Sequence, residues 1–210
     1  KPFTEPAKNV CNVATLYPQY FQIVANADAG ISSLGDIKGK PIAVQPKGNT
    51  AEFISQQALG VYGLKYDDAT RVSYVSYTDA VSLMKDNNAQ LFTLGTTVPA
   101  SAIMDLASAR DITLVNFPDD KFKEMQKLNP SYPKQDKDVQ AVSYATHVIA
   151  RCDLDEKIVH DVLKGMVDNK ADLSAIAKSM AATSLEDMAS DTGVPMHKGA
   201  TKYYKEAGVL

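Results

Sequence analysis

The sequence is short of the residues that most often announce chemistry. It has two cysteines and three histidines in 210 residues. Cys11 and Cys152 match no metal-ligand spacing, and on residue type alone they read either as small buried thiols or as a disulfide. His147, His160 and His197 have no second ligand type clustered three or four positions away, so neither a structural zinc nor any other metal or cofactor is expected. There is no GxSxG elbow, no HExxH helix, no GxxxxGK[ST] loop and no GxGxxG turn. No apolar run is long enough to cross a bilayer. Basic residues show no excess: 22 Lys and Arg stand against 25 Asp and Glu, for a net charge of −3. The lysines alternate with acids, as on a solvated face, and this excludes the basic footprint of a nucleic-acid binder. The chain opens on KPFTEPAKN, which has neither the charged nor the apolar stretch of a signal peptide. That alone assigns no compartment, because mature chains lose such segments. No repeat of fixed period and no low-complexity tract is present.

What remains is an ordinary globular composition, with 45% hydrophobic and 22% charged residues. Its length suits one large or two small domains. Residues 20–25 are β-prone and close on Asp28-Ala29-Gly30, a turn sequence. Residues 33–39 read as one helical turn stopped by Gly39. A short apolar strand over 40–45 is followed by a tight loop, Pro46-Lys47-Gly48-Asn49-Thr50. A helix over 51–62 then carries Phe53, Ile54, Ala58 and Val61 at helical spacing. Gly63 stands where a C-cap glycine belongs.

The pattern repeats with a strand at 71–77, a helix at 79–87 capped by Thr78, and a strand at 90–94. A second polar loop, Gly95-Thr96-Thr97-Val98-Pro99, leads into a helix at 100–109 and a strand at 112–116. Alternating strands and helices predict an α/β domain with a mostly parallel sheet. A short helix at 119–128, a polar loop at 131–138 and a long β-rich run at 139–150 follow. Beyond it the character changes. Residues 153–169, 173–180 and 201–207 read as helices with no strand between them, the first capped by Asp153 with Glu156 three residues on. Such a tail needs another layer to cover its apolar face, and the sequence does not reveal one.

The loop from Gln45 to Glu52 is where chemistry concentrates. A strand enters, Gly48 permits an unusual turn, and a helix leaves with amides that lack intrahelical acceptors. The helix dipole places positive potential there, which suits a carboxylate or phosphate. Asn49 and Thr50 add side-chain donors, and Lys47 adds charge. The plainer reading is a strand-to-helix turn with Asn49 or Thr50 as an N-cap. The 95–99 loop sits at the equivalent end of a later strand, and ligands of parallel α/β sheets gather at that rim. Both readings stay open on the local pattern. Among other candidates, Asp136 and Asp138 would form an acid–base pair but read as solvated loop residues. His197 reads as a cap or packing residue, and Tyr203 and Tyr204 as helix-face packing.

The stretch LYPQYFQIVANADAGISSLGDIKGKPIAVQPKGNTAE resembles the TAXI family of solute receptors, which serve TRAP transporters. Leu16-Tyr17-Pro18, Gly30-Ile31, Ser33-Leu34, Asp36 and Lys38-Gly39-Lys40 carry that resemblance. So do Tyr132-Pro133, Gln135-Asp136 and Asp138-Val139. Near the end, Pro195-Met196-His197-Lys198-Gly199-Ala200 and Tyr203-Tyr204-Lys205-Glu206-Ala207-Gly208 continue it. The motifs run in order along nearly the whole chain. The family's Gly-Ser-Gly-Thr-Glu loop is changed here, with Asn49 at the serine position and Ala51 at the threonine, so that a hydroxyl falls at Thr50.

The resemblance implies an α/β, periplasmic-binding-protein-like fold of type II. It implies a lead-in and hinge strand over 1–22, an α/β ligand-binding lobe over 23–145, and a return strand with C-terminal helices of the other lobe over 146–210. The family also carries an earlier strand-helix unit and ligand loop, whose sheet would cover the helical tail. The implied protein is a monomeric periplasmic or extracytoplasmic receptor. It captures a small carboxylate such as glutamate, glutamine or a related organic acid and hands it to TRAP membrane subunits, with no cofactor and no chemistry on the ligand. The implied ligand residues are Gln45, Gly48, Asn49, Thr50, Ala51, Thr96 and Thr97. An enzyme on the same fold is the alternative. In such a fold Cys11 and Cys152 flank two strand crossings on one side, close enough for a bridge unless their Cα atoms lie more than about 7 Å apart.

Overall fold

Two long strands organise the computed structural model. The structure describes residues 7–130, 132, 134–135 and 139–210; for 134 and 135 it describes the backbone alone. The aspartates at 136 and 138 lie outside that set. The chain divides into two compact units. One is Gln19–Tyr144. The other joins the described residues up to Pro18 with Ala145–Leu210. Strands β1 (Cys11–Asn26) and β7 (Ala141–Ala150) each contribute residues to both.

In the Gln19–Tyr144 unit the elements follow as β2 (Pro41–Val44), α1 (Thr50–Val61), β3 (Arg71–Tyr74), α2 (Tyr77–Lys85), β4 (Leu91–Thr96), α3 (Ser101–Ala109), β5 (Ile112–Leu114), α4 (Asp119–Leu128) and β6 (Lys134–Gln135). The sheet order is β3-β2-β4-β1-β7-β6, with β5 pairing β1. Alternation along each strand separates two cores. On one face Ile42 and Val44 join Phe21, Ile23, Ile54, Ala58, Phe122 and Met125. On the other, Ala43 joins Val24, Phe92, Leu94, Ala80, Met84 and Leu106. Helices α1 and α4 therefore cover one side of the sheet and α2 and α3 the other.

Several expectations need correction. Strand β1 is 16 residues long, not six, because Leu16, Tyr17 and Pro18 stay extended. Pro18 is the exposed residue of the strand, a position where its missing N–H costs little. The sheet is mixed rather than mostly parallel. Strands β2, β3 and β4 are parallel, whereas β1 runs antiparallel to β4 and β5. Ser76, not Thr78, caps α2 by accepting from the Asp79 N–H at 3.2 Å. At the end of α1, Gly63 has φ +68° and the Leu64 N–H returns to the Leu59 carbonyl, closing the helix as read from sequence.

The other unit holds α5 (Glu156–Asp168), α6 (Lys170–Ile176), α7 (Leu185–Met188) and α8 (Lys198–Glu206). Asp155 caps α5 by accepting from the Ile158 N–H at 3.1 Å. Asp153, the expected cap, instead pairs with Arg151 and accepts from Asn9. The expected 173–180 helix is α6 followed by a 3-10 turn over Lys178–Ala182. Part of the layer that covers these helices lies within this chain. Val13 and Ala14 of β1, with Val148 and Ala150 of β7, pack against Val159, Leu163, Ala200 and Tyr204. Tyr204 is fully buried, and its hydroxyl donates to the Val13 carbonyl at 3.0 Å. Cys11 and Cys152 form a disulfide with Cα atoms 5.0 Å apart.

His160 joins α5 to α8 through Glu206 at 2.9 Å, with Asp161 at 3.2 Å and the Tyr203 ring against its own. Lys157 faces Asp161 from the same helix. Hydrogen bonding to Glu206, then to Asp161, raises the histidine above its ordinary value of 6.5. A raised folded-state value means that the stabilisation is present in full below about 6.5 and is lost as pH rises through the raised value. Urea midpoints of the wild type should therefore fall relative to His160→Gln as pH is taken from about 6 to about 9. Parallel curves for the two proteins would contradict this coupling.

Candidate functional site

Strands β2 and β4 are adjacent and parallel, with Ile42 opposite Leu91 and Ala43 opposite Phe92. Their carboxyl ends therefore share one rim of the Gln19–Tyr144 unit, and the loops that follow them meet there. Gly48, at φ +90°, turns the first loop into α1. Asn49 is the N-cap: its side chain accepts from the Ala51 N–H at 2.8 Å. Both reasons for singling out this loop thus hold as local structure. The cap occupies one amide, and helix geometry leaves those of Thr50 and Glu52 without an intrahelical acceptor.

The seven sequence-selected residues divide by position. Gly48, Asn49 and Thr50 are exposed on the rim, and Thr96 and Thr97 are half-buried at the end of β4. Val98-Pro99, next in that loop, is a cis peptide. Gln45 and Ala51 stand behind the rim. Gln45 is buried, and its Nε2 donates to the Thr93 carbonyl, tying β2 to β4. Ala51 is fully buried, and a Cβ at Gly95 would lie 3.0 Å from its own. Small residues at both positions let α1 approach the end of β4. Ser55 fastens the same junction through the Thr93 hydroxyl at 2.8 Å.

Sequence reading missed a group of polar side chains here. The Tyr77 hydroxyl donates to the Gly95 carbonyl at 2.8 Å. The Tyr144 hydroxyl donates to Gln19 Oε1 at 3.1 Å and would sit 2.1 Å from any Cβ at Gly95. Burial raises the pKa of both tyrosine hydroxyls, so they remain neutral donors. Tyr144 is 49 residues from Gly95 in sequence, beyond any local signal; only the unexplained glycine at the end of β4 hinted at a close neighbour. Glu52 was also passed over. It is buried in the first turn of α1, where Gln56 donates to its carboxylate. Burial first, and the Glu52 charge second, push the nearby Tyr66 hydroxyl up. Lys47 lies 5.0 Å over the Tyr74 ring, which keeps a cation beside the loop.

The chemistry this rim offers is donation to an anion. Exposed amides, the Thr50, Thr96 and Thr97 hydroxyls and a nearby ammonium are all donors. His197 is the N-cap of α8, accepting from the Gly199 N–H at 3.1 Å, and belongs to packing. His147 in the other unit meets the Thr15 hydroxyl at 3.2 Å, and among the described residues no carboxylate orients its ring. No group of three His, Cys, Asp or Glu among the described residues forms a metal site.

A sheet covered by helices on both faces, with polar loops at the carboxyl ends of adjacent parallel strands, is an open α/β arrangement whose ligands bind at that rim. ArtJ from Geobacillus stearothermophilus, an arginine-, lysine- and histidine-binding protein, shares that fold at a TM-score of 0.50 and 12% identity, over 86% of this chain and 66% of its own. Similarity extends to a putative periplasmic sulfonate-binding SsuA from Methylobacillus flagellatus KT (TM-score 0.47, 16% identity, 85% of this chain and 46% of that one). It extends also to a P235GK mutant of ArgBP from T. maritima (0.48, 16%, 82% and 60%). The chain spans about half to two thirds of the length of these solved proteins. The chain belongs to the NMT1-like family, whose sequence model matches residues 1–208.

Proposed function

We propose that this chain is the ligand-binding part of an extracytoplasmic transport receptor. It captures a small carboxylate, with glutamate, glutamine and related acids as the class, and presents it to the membrane subunits of a TRAP-type transporter. The observation that carries the reading is the α1 N-terminus, where Asn49 caps one amide while Thr50 stands exposed beside the β4 loop. A carboxylate there accepts from free amides at the positive end of a twelve-residue helix. The ordered TAXI-like motifs support the TRAP assignment, and the exposed donors support an anionic ligand. Gly48, Asn49 and Thr50 would touch the ligand, Thr96 and Thr97 would close on it, and Gln45 and Ala51 would hold the loop in place. In this reading the ligand is carried and released unchanged.

Thr50→Ala is expected to weaken binding of the preferred carboxylate about tenfold, the worth of one hydrogen bond to a charged group. The melting temperature of the unliganded protein should stay the same, since Asn49 supplies the cap. Calorimetry with L-glutamate and L-glutamine measures the first, and a thermal melt the second. Equal affinity in wild type and variant would reduce Thr50 to an ordinary helix residue.

A further inference from the structure

The unit that contains α5 to α8 has a cleft of its own, of about 470 Å3, where residues 195–197 bridge β1. That volume falls within the usual range for small-molecule sites. Asn12 lines it and is 3% exposed. Its backbone is fully engaged: the N–H donates to the Pro195 carbonyl at 2.9 Å, and the carbonyl accepts from the His197 N–H at 2.9 Å. Its side-chain Oδ1 is buried with no donor among the described residues. A buried acceptor left without a donor costs roughly 1–3 kcal/mol, so a partner that supplies one is favoured. Thr192, in the turn between two lining residues, also has a buried hydroxyl without a partner among the described residues.

The remaining lining defines what that partner looks like. Asp191 is the one lining side chain that carries charge. Its Oδ1 accepts from the Gly193 N–H at 2.9 Å, which fixes the carboxylate within the turn. Ala189, Val194, Pro195, Met196 and Leu210 supply apolar surface, and Ser190 and Thr201 add hydroxyls. A single carboxylate with an amide acceptor is too few ligands for a metal ion, and an anion would meet no cation in the lining. The geometry points to a second binding site, independent of the α1 loop, that takes a small primary ammonium group on a short apolar tail. The ammonium donates to Asn12 Oδ1 and Asp191, and the tail lies on Val194, Pro195 and Met196. A charge-assisted pair of acceptors supplies most of the affinity.

The test is a 15N NMR titration of the whole chain with n-butylammonium chloride, run beside n-butanol and sodium butyrate. Saturable shifts at the amides of Asn12, Gly193 and Met196 are expected with n-butylammonium, weaker ones with n-butanol and none with butyrate. Asp191→Asn should lower the n-butylammonium affinity about tenfold. Asp191 is exposed, so this variant keeps the fold even where Asn12→Leu does not. Absence of saturation with n-butylammonium, equal saturation with butyrate, or unchanged affinity in Asp191→Asn would each overturn the site.

Discussion

Alanine at Gly199 is expected to destabilise the helical unit by about 3 kcal/mol, the upper part of the usual range for overpacking. Gly199 is the second residue of α8, where that helix crosses α5. A Cβ at this position would lie 2.2 Å from the Glu156 carbonyl oxygen and 2.9 Å from the His160 nitrogen. Both are backbone atoms of or beside α5, so no rotamer change relieves the contact and one helix must shift. The shift would strain Ala200 and Tyr204, which are fully buried against Val13 and Ala14. Helix propensity runs the other way, since alanine is favoured over glycine by about 1 kcal/mol inside a helix. The steric term is the larger, so the net sign is destabilising. Urea unfolding of Gly199→Ala measures it. A midpoint equal to or above that of the wild type would show that α5 and α8 do not approach so closely.

Removing the Cys11–Cys152 bridge is expected to cost about 2–5 kcal/mol. The two cysteines are 141 residues apart, so the bridge closes a loop that contains the entire Gln19–Tyr144 unit. Loop-closure entropy grows with the logarithm of loop length, which puts this loop near the upper end of that range, less whatever structure the reduced unfolded chain retains. The double variant Cys11→Ala with Cys152→Ala should unfold at lower urea than the oxidised wild type. Reductant should bring the wild type down to the same midpoint and leave the variant unmoved. A wild-type midpoint indifferent to reductant would contradict the bridge. Such a bridge also suits an oxidising compartment, which agrees with the proposed extracytoplasmic role.

How far these features were legible depends on the range of the forces behind them. The strand-helix alternation from Pro41 to Ala109 was readable because hydrophobic period and turn residues are local. Asn49 as a cap and Gly63 as a helix stop were readable for the same reason. The caps at Ser76 and Asp155 were misplaced by two residues each, since Thr78 and Asp153 offer equally good oxygens and only backbone geometry chooses between them. The length of β1 was hidden by Pro18, which reads as a strand breaker until its exposed position is known. The contacts that β1 and β7 make with α5 and α8 were missed because Val13 and Ala14 precede the run read as a strand, and Val148 and Ala150 lie at the far end of another. At the rim, Gly48 and Thr50 were legible as loop chemistry. Tyr77, Tyr144 and Gln19 were not, because what gathers them around Gly95 is strand order, and no local pattern encodes that.

The central claim is that the α1 N-terminus and the β4 loop hold a small carboxylate without altering it. Calorimetry of the purified protein against a panel of amino acids and dicarboxylates tests this most directly. The account predicts saturable binding of at least one carboxylate, recovered chemically unchanged, with affinity reduced about tenfold in Thr50→Ala. Turnover of any member of the panel, or binding that ignores the Thr50 substitution, would contradict it.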